Sequence, residues 1–323
     1  MVNMPRRCAT PLRRVPVILF GVVVGCATAP RVAAPPSAAA DASGGFGVIV
    51  MAHGGSPEWN QQVISAAYPL TKQQEVEVAF GMADPASIQS AVKALAQRGV
   101  TRIGVVRLFV SGDSFYDRTE QILGLRPGAP PMAPPGTAHS GHADGATERS
   151  QGHGMELWRI ESSASYALSR RGLSEAPAMG AVLAARARAL SKNPGREDVL
   201  ILAHGPGDDA ENDRWIAQIG ARAAAVRSAL PFRRVQVMTL REDWPEQRAA
   251  AQRMIRAFVE ESRRDGITTI VIPFRVQGFG PYAEVLAGLD YVSDGVGLLP
   301  HANVTQWMAD EIDELKRGPF KRP

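Results

Sequence analysis

The run Val48-Ile49-Val50-Met51-Ala52-His53-Gly54 returns in the second part of the chain as Val199-Leu200-Ile201-Leu202-Ala203-His204-Gly205. Each copy is followed by an acidic residue and an asparagine, Glu58 and Asn60 in the first, Glu211 and Asn212 in the second. Further on, Gly99-Val100-Thr101-Arg102-Ile103 ahead of an apolar run ending at Gly112 is matched by Gly266-Ile267-Thr268-Thr269-Ile270 ahead of one ending at Gly278. A short motif recurs by chance easily. The ordered agreement of strand, motif, helical stretch and later strand predicts two homologous halves.

Short β-branched runs alternate with longer amphipathic stretches, the pattern of βαβ units and a parallel sheet. Strands are expected over 48–51, 76–80, 103–109, 199–202, 235–239 and 270–273, and helices over 86–97, 179–190, 210–230 and 246–264. Runs such as Val199-Leu200-Ile201-Leu202 lack polar alternation, as strands covered on both faces do. The expected fold class is α/β: two tandem flavodoxin-like domains, each a parallel sheet flanked by helices. The first half spans 47–125 and the second 155–315, with a tail over 316–323. Between them, 126–154 is rich in Pro and Gly, carries His139, His142 and His153, and reads as a flexible insertion. Its histidines could gather a metal, although a solvated loop with incidental histidines explains them as well.

Ahead of the first repeat, Arg6, Arg7, Arg13 and Arg14 precede an apolar run that ends at Gly25-Cys26. This reads as a secretory signal over 1–25, too short for a span that needs ~20 apolar residues. Val-Val-Gly before Cys26 resembles a bacterial lipobox, so Cys26 is the expected lipidation site; a plain cleaved signal is the alternative. An Ala/Pro-rich tether over 26–46 follows. The expected location is the bacterial envelope, exported and lipid-anchored on the periplasmic side, with the membrane met through the lipid alone. The whole chain has 36 Lys plus Arg against 32 Asp plus Glu, and the signal holds four arginines and no acid, so the remainder is balanced at 32 each. That balance gives no support for a nucleic-acid partner. Cys8 and Cys26 are the two cysteines; cleavage and acylation leave no free thiol, which excludes thiolate chemistry.

In an open parallel sheet, ligands bind beyond the carboxyl ends of the strands. His53 and His204 both stand there, each before a glycine that lets backbone approach a ligand closely. A neutral imidazole can ligate a divalent metal or take a proton near pH 7, and Glu58 or Glu211 could add a hard oxygen ligand or a proton relay. A strand-end histidine can equally serve only to bond backbone; its occurrence at both equivalent positions favours function. His301, in Leu299-Pro300-His301-Ala302-Asn303, is a third candidate metal ligand. Arg107, Asp113, Asp117 and Arg118 follow one strand, and Arg275, Gln277, Tyr282 and Glu284 its counterpart; the arginines could pair with substrate carboxylates or be solvated loop charge. Trp59, Trp215, Phe115, Phe279 and Tyr282 could stack on a flat ring or simply pack. No Walker loop, dinucleotide fingerprint, zincin helix or nucleophile elbow is present in the sequence.

Tandem strand-Ala-His-Gly motifs followed by Glu and Asn, together with Gly297-Leu298-Leu299-Pro300-His301-Ala302-Asn303-Val304, resemble the sirohydrochlorin chelatases of the class II chelatase group. The resemblance covers most of 47–310. It implies chelatase-like domains that bind a divalent metal and insert it into a tetrapyrrole such as sirohydrochlorin. Cobalt or iron is the first choice of metal, with nickel or zinc also suited. His53 and His204 match the family histidine that binds metal and helps remove pyrrole protons. The family's second histidine, two residues after the glycine of Phe-Leu-x-x-Gly-x-His, is replaced by Ser114 and Gly280; His301, Glu284 or Asp113 are the candidate substitutes. The alternative is a non-catalytic envelope lipoprotein that binds a metal or tetrapyrrole on the same fold; a third is a lipoprotein whose chelatase fold serves structure alone.

Overall fold

The structure, a computed structural model, describes residues 44–132 and 156–323. The expected signal 1–25, Cys26, nearly all of the 26–46 tether, and His139, His142 and His153 lie outside the described residues.

The first half begins with β1 (Gly45–Ala52), α1 (Pro57–Ala67), β2 (Glu75–Phe80), α2 (Pro85–Gln97), β3 (Val100–Leu108) and α3 (Tyr116–Ile122). After the insertion come β4 (Ser165–Leu168) and α4 (Ala178–Leu190). The second half adds β5 (Glu197–Ala203), α5 (Asp209–Ala229), β6 (Arg234–Thr239), α6 (Pro245–Arg264), β7 (Thr268–Phe274), the short α7 (Tyr282–Val285) and α8 (Ala302–Lys316). Two parallel sheets result, in the orders β2-β1-β3-β4 and β6-β5-β7. The repeat is therefore a repeat of topology. Ala52 lies beside Phe80 and Leu108, and Ala203 beside Thr239 and Phe274, so both Ala-His-Gly motifs leave the central strand of their sheet at the same level.

Strand alternation sorts the core into layers. Val48, Val50, Ala52, Val106 and Leu108 of the first sheet share one core with Val199, Ile201, Ala203, Ile270 and Ile272 of the second. Ile49, Met51, Ile103 and Val105 turn outward to α2, and Leu200, Leu202 and Val271 outward to α6 and α7. Between the sheets lie α1, α4, α5 and α8, burying Val63, Val182, Ile219 and Met308 among others. Among the described residues, no helix is long and apolar enough to cross a membrane.

The middle layer crosses the expected domain boundary. The boundary at 155 assigns β4, α4 and α8 to the second half, yet β4 pairs with β3 in the first sheet, and α8 packs on β3 and α1. α4, which follows β4, packs instead on α5 and β7. The first sheet thus has α1 of its own half on its inner face and receives α8 from across the boundary, whereas α4 and α5 on the second sheet both come from its own side of 155. Amphipathic spacing announces that a helix will be covered, but not by which sheet.

Candidate functional site

Both histidines sit at strand-to-helix turns built for close approach. Gly54 and Gly205 adopt φ of +79° and +78°, a left-handed conformation that glycine takes without steric cost. The helices that follow start on side-chain caps: Ser56 Oγ accepts from Trp59 N at 3.3 Å, and Asp208 Oδ1 from Glu211 N at 2.8 Å. Each imidazole is tied to its own turn, His53 Nδ1 to Gly54 O at 2.9 Å and His204 Nδ1 to Gly205 O at 2.8 Å. With Nδ1–H donating, a neutral ring presents the Nε2 lone pair outward.

The two turns face one cleft of about 730 Å³, lined by both histidines and by Trp59, Phe109, Phe115, Trp215 and Trp244. That volume lies in the ~300–1,000 Å³ range of small-molecule sites. Trp59 packs over Gly55, where an added Cβ would come within 3.1 Å of its ring. Trp244 meets the edge of His204 with ring centroids 6.1 Å apart and crowds Gly207.

The halves differ in what they place beside the imidazole. His204 Nε2 lies 3.1 Å from Asp243 Oδ2 and 3.9 Å from Glu242 Oε2, and Glu242 is itself bonded to Arg275. Burial alone would lower the His204 pKa; the hydrogen bond to Asp243 and the charges of Glu242 and Asp243 outweigh it and raise it. The same hydrogen bond, aided by His53 and Arg275, holds the Asp243 carboxyl below its ordinary range. His53 is exposed, and its ring hydrogen bond among the described residues is the one to Gly54.

Of the expected catalytic residues, His53, His204 and Glu211 line the cleft. Glu58 does not: it is fully exposed in the first turn of α1, its carboxyl lowered by the backbone N–H at that helix start and by Ser56. His301, expected as a metal ligand, caps α8 instead, Nδ1 accepting from Asn303 N at 3.1 Å. Burial and the nearby Arg186 lower its pKa, consistent with a neutral capping ring. Asn212, from the motif that repeats Asn60, is buried and accepts from Thr239 Oγ1 at 2.6 Å, so it fastens α5 to β6.

The second family histidine has no replacement among the candidates named for it, since neither Glu284, Asp113 nor His301 lines the cleft. Ser114 does line it, at the position expected from the motif. At Gly280 the obstruction is physical: an added Cβ would stand 2.8 to 2.9 Å from the Arg275 guanidinium, and φ is +62°. Arg275 fills that space and reaches the cleft. Arg107, by contrast, is spent inside the protein. It is 1% exposed, donates to Gly112 O at 2.8 Å and Ser169 O at 3.1 Å, lies over the Tyr116 ring, and has its pKa lowered to about 10 by burial. Arg118 donates to Ala83 O at 3.0 Å and to Glu156 O, and Asp117 pairs with Arg126. Tyr282 and Phe279 belong to the outer core of the second sheet.

Sequence reasoning missed Glu242 and Asp243. The signal was an acidic pair directly after β6 and before Pro245 at the start of α6, a strand carboxyl end like those searched at β5 and β7. Among the described residues, no group of three or more His, Cys, Asp or Glu side chains is gathered as a preformed metal cage.

Residues 47–126 match the family described as CbiX, which places that family's pattern in the first half. A structure described as SirB from Bacillus subtilis with Fe3+ shares 14% identity and a TM-score of 0.57, covering 86% of this chain and 100% of that one. The sirohydrochlorin chelatase SirB from Bacillus subtilis subspecies spizizenii, in complex with cobalt, shares 12% identity and a TM-score of 0.52, covering 85% and 97%. At these identities the structures establish a chelatase-like fold. No curated relative matches the sequence.

Proposed function

We propose that this chain is a chelatase-type protein that binds a divalent metal in the cleft and inserts it into a tetrapyrrole such as sirohydrochlorin. One observation carries the reading: the Ala-His-Gly imidazoles of both halves open into a single aromatic-lined cleft, with the Asp243 carboxylate at its wall. Insertion exchanges two pyrrole N–H protons for the metal ion, so a site needs a donor for the ion and bases for the protons. His53 supplies a nitrogen lone pair, and Asp243 with His204 supplies acceptors for protons leaving the ring. Trp59 and Trp244, half-buried at the rim, offer apolar surface against which a flat macrocycle can lie, with buried Trp215 behind them. As substrate ion, cobalt or iron is the first choice, the ions in the two SirB structures; nickel and zinc also suit imidazole and carboxylate donors. An envelope location, with lipid on Cys26, is part of the proposal and rests on the arginines and apolar run that precede that cysteine.

A second reading, capture of metal or tetrapyrrole without turnover, is favoured by the lack of a preformed metal cage among the described residues. The two separate in one experiment. Residues 27–323 are incubated anaerobically with sirohydrochlorin and cobalt(II) or iron(II), insertion is followed by absorbance, and metal binding is titrated on the same samples. Insertion above the uncatalysed rate, reduced at least ~100-fold in His53→Ala or His204→Ala, is the expected result. Histidine-dependent metal binding without insertion selects the second reading. A protein that does neither refutes both.

A further inference from the structure

Arg241 does not line the cleft, yet it holds the turn on which His204 stands. It is the second residue after β6, its side chain is 11% exposed, and its φ of +56° is one that residues other than glycine keep only when their surroundings enforce it. What enforces it is a set of bonds to one short segment. The backbone N–H donates to His204 O at 2.5 Å, Nε to Pro206 O at 2.8 Å, one terminal nitrogen to Gly207 O and the other to Asp209 Oδ1 at 2.5 Å. Residues 204–209 are thus gathered onto a single planar fork, whose charge is met by the Asp209 carboxylate. The stem of the same side chain lies against Gly205, where an added Cβ would come within 3.2 Å of Cγ.

Glu242 and Asp243 follow Arg241 directly, so one residue joins the turn that carries the imidazole to the turn that carries its acceptors. The first half has no such clamp. Gly81 N donates to Ala52 O at 2.9 Å as Leu240 N does to Ala203 O, which puts Met82 at the position of Arg241, and a thioether has no proton to give a carbonyl. Resting on the chelatase-type reading, we infer that Arg241 is a positioning residue for proton removal, fixing His204 against Asp243 at 3.1 Å before the macrocycle arrives. Geometry held in advance lowers the barrier of a proton transfer, and a misplacement of ~1 Å costs about 100-fold in rate. The planar fork is what the task needs, because its donors reach separate carbonyls at once, whereas the lysine ammonium is a point charge on a flexible stem.

The test introduces Arg241→Met, which copies Met82, into the 27–323 protein in wild-type and His204→Ala backgrounds. Cobalt insertion into sirohydrochlorin is followed in each, and cobalt(II) binding is titrated on the same samples. Arg241→Gly, which takes the positive φ without steric cost, stands in if the methionine variant does not fold. In the wild-type background kcat is expected to fall ~10–100-fold, with KM for sirohydrochlorin and cobalt affinity moved by less than ~3-fold. Once His204 is gone the same substitution should change kcat by less than ~2-fold, since a residue that acts through His204 has nothing left to position. An unchanged kcat in a folded variant, or an equal loss in both backgrounds, overturns the inference and leaves the chelatase-type reading standing. A wild-type protein that inserts no metal overturns that reading and the inference with it.

Discussion

Replacing Asp243 by Asn tests the asymmetry of the cleft directly, because Asn keeps the size and one acceptor oxygen while removing the charge. The pair is separated by 3.1 Å, with side chains 31% exposed at His204 and 65% at Asp243. At that spacing Coulomb attraction in a water-like medium is about 1 kcal/mol, and solvent-exposed pairs return about 0.2–1 kcal/mol once screening and side-chain entropy are counted. The expected loss is thus about 0.5–1 kcal/mol. Its pH dependence follows from the two shifts. His204 is raised from 6.5, so its contribution is complete below that value and disappears as pH rises through the higher folded value. Asp243 is lowered from 3.8, so its contribution is complete above that value and disappears as pH falls through the lower folded value. Both partners are charged in the mildly acidic window between. Urea denaturation at about pH 5.5 should show the full difference between wild type and Asp243→Asn, shrinking toward zero near about pH 9. In parallel, the His204 ring resonance should titrate at lower pH in the variant. An equal penalty at both pH values would mean that Asp243 acts through packing, and an unmoved His204 titration would remove the pair from the argument altogether.

The remaining expectations concern the frame around the cleft. Asp198 is completely buried at the start of β5 and accepts from Arg233, Arg234 and Ser262 at 2.7 to 3.0 Å. Asp198→Ala should cost about 2–4 kcal/mol in chemical denaturation, below the full price of a buried pair because the arginines can partly rehydrate. Metal binding by the folded variant should be unchanged, since Asp198 and His204 lie at opposite ends of β5. Gly280→Ala should destabilise by about 1–2 kcal/mol through its positive φ and its collision with Arg275; a thermal melt identical to wild type would refute the filled-space account of the missing histidine. Ending the chain at Pro300 removes α8 with buried Val304, Trp307, Met308, Ile312 and Leu315, an upper bound of about 8–15 kcal/mol. Loss of hydrogen-exchange protection should then appear in β1 and β3 of the first half, far away in sequence; protection unchanged there would contradict the packing of α8 on the first sheet.

Periodicity made most of the scaffold legible. The six expected strands and four expected helices all appear, with no end moved by more than three residues. What escaped has a common cause. β4 is the four-residue run Ser165-Tyr166-Ala167-Leu168, too short to announce a period, and it becomes a strand by pairing with β3. α1 is marked by Ser56 and Pro57, and α8 by a capping histidine, residues whose sequence context drew attention to chemistry instead. The crossing of α8 to the first sheet leaves no local trace, because a buried helical stripe looks the same whichever sheet it covers.

The site was legible where the halves agree and hidden where they differ. His53 and His204 stood out because one motif occurred twice, and both reach the cleft. Glu242 and Asp243 lie in a connection that the repeat does not preserve: residues 81–84 join β2 to α2, whereas residues 240–244 join β6 to α6. The longer turn places an acidic pair beside His204, while the first-half turn contributes Met82 to the cleft and gives Asp84 to capping α2. Arg275 likewise stands where the first half has Phe109, each following the corresponding β-strand core residue, Phe274 or Leu108. Sheets of matching register fix where the histidines must be; the turns at their carboxyl ends can change without disturbing that register. A comparison of repeats therefore finds the shared imidazoles and passes over the charges that distinguish one from the other. Those charges give His204 an acidic neighbourhood that His53 lacks, so the difference between the two imidazoles resides in the turns even though their position resides in the sheets.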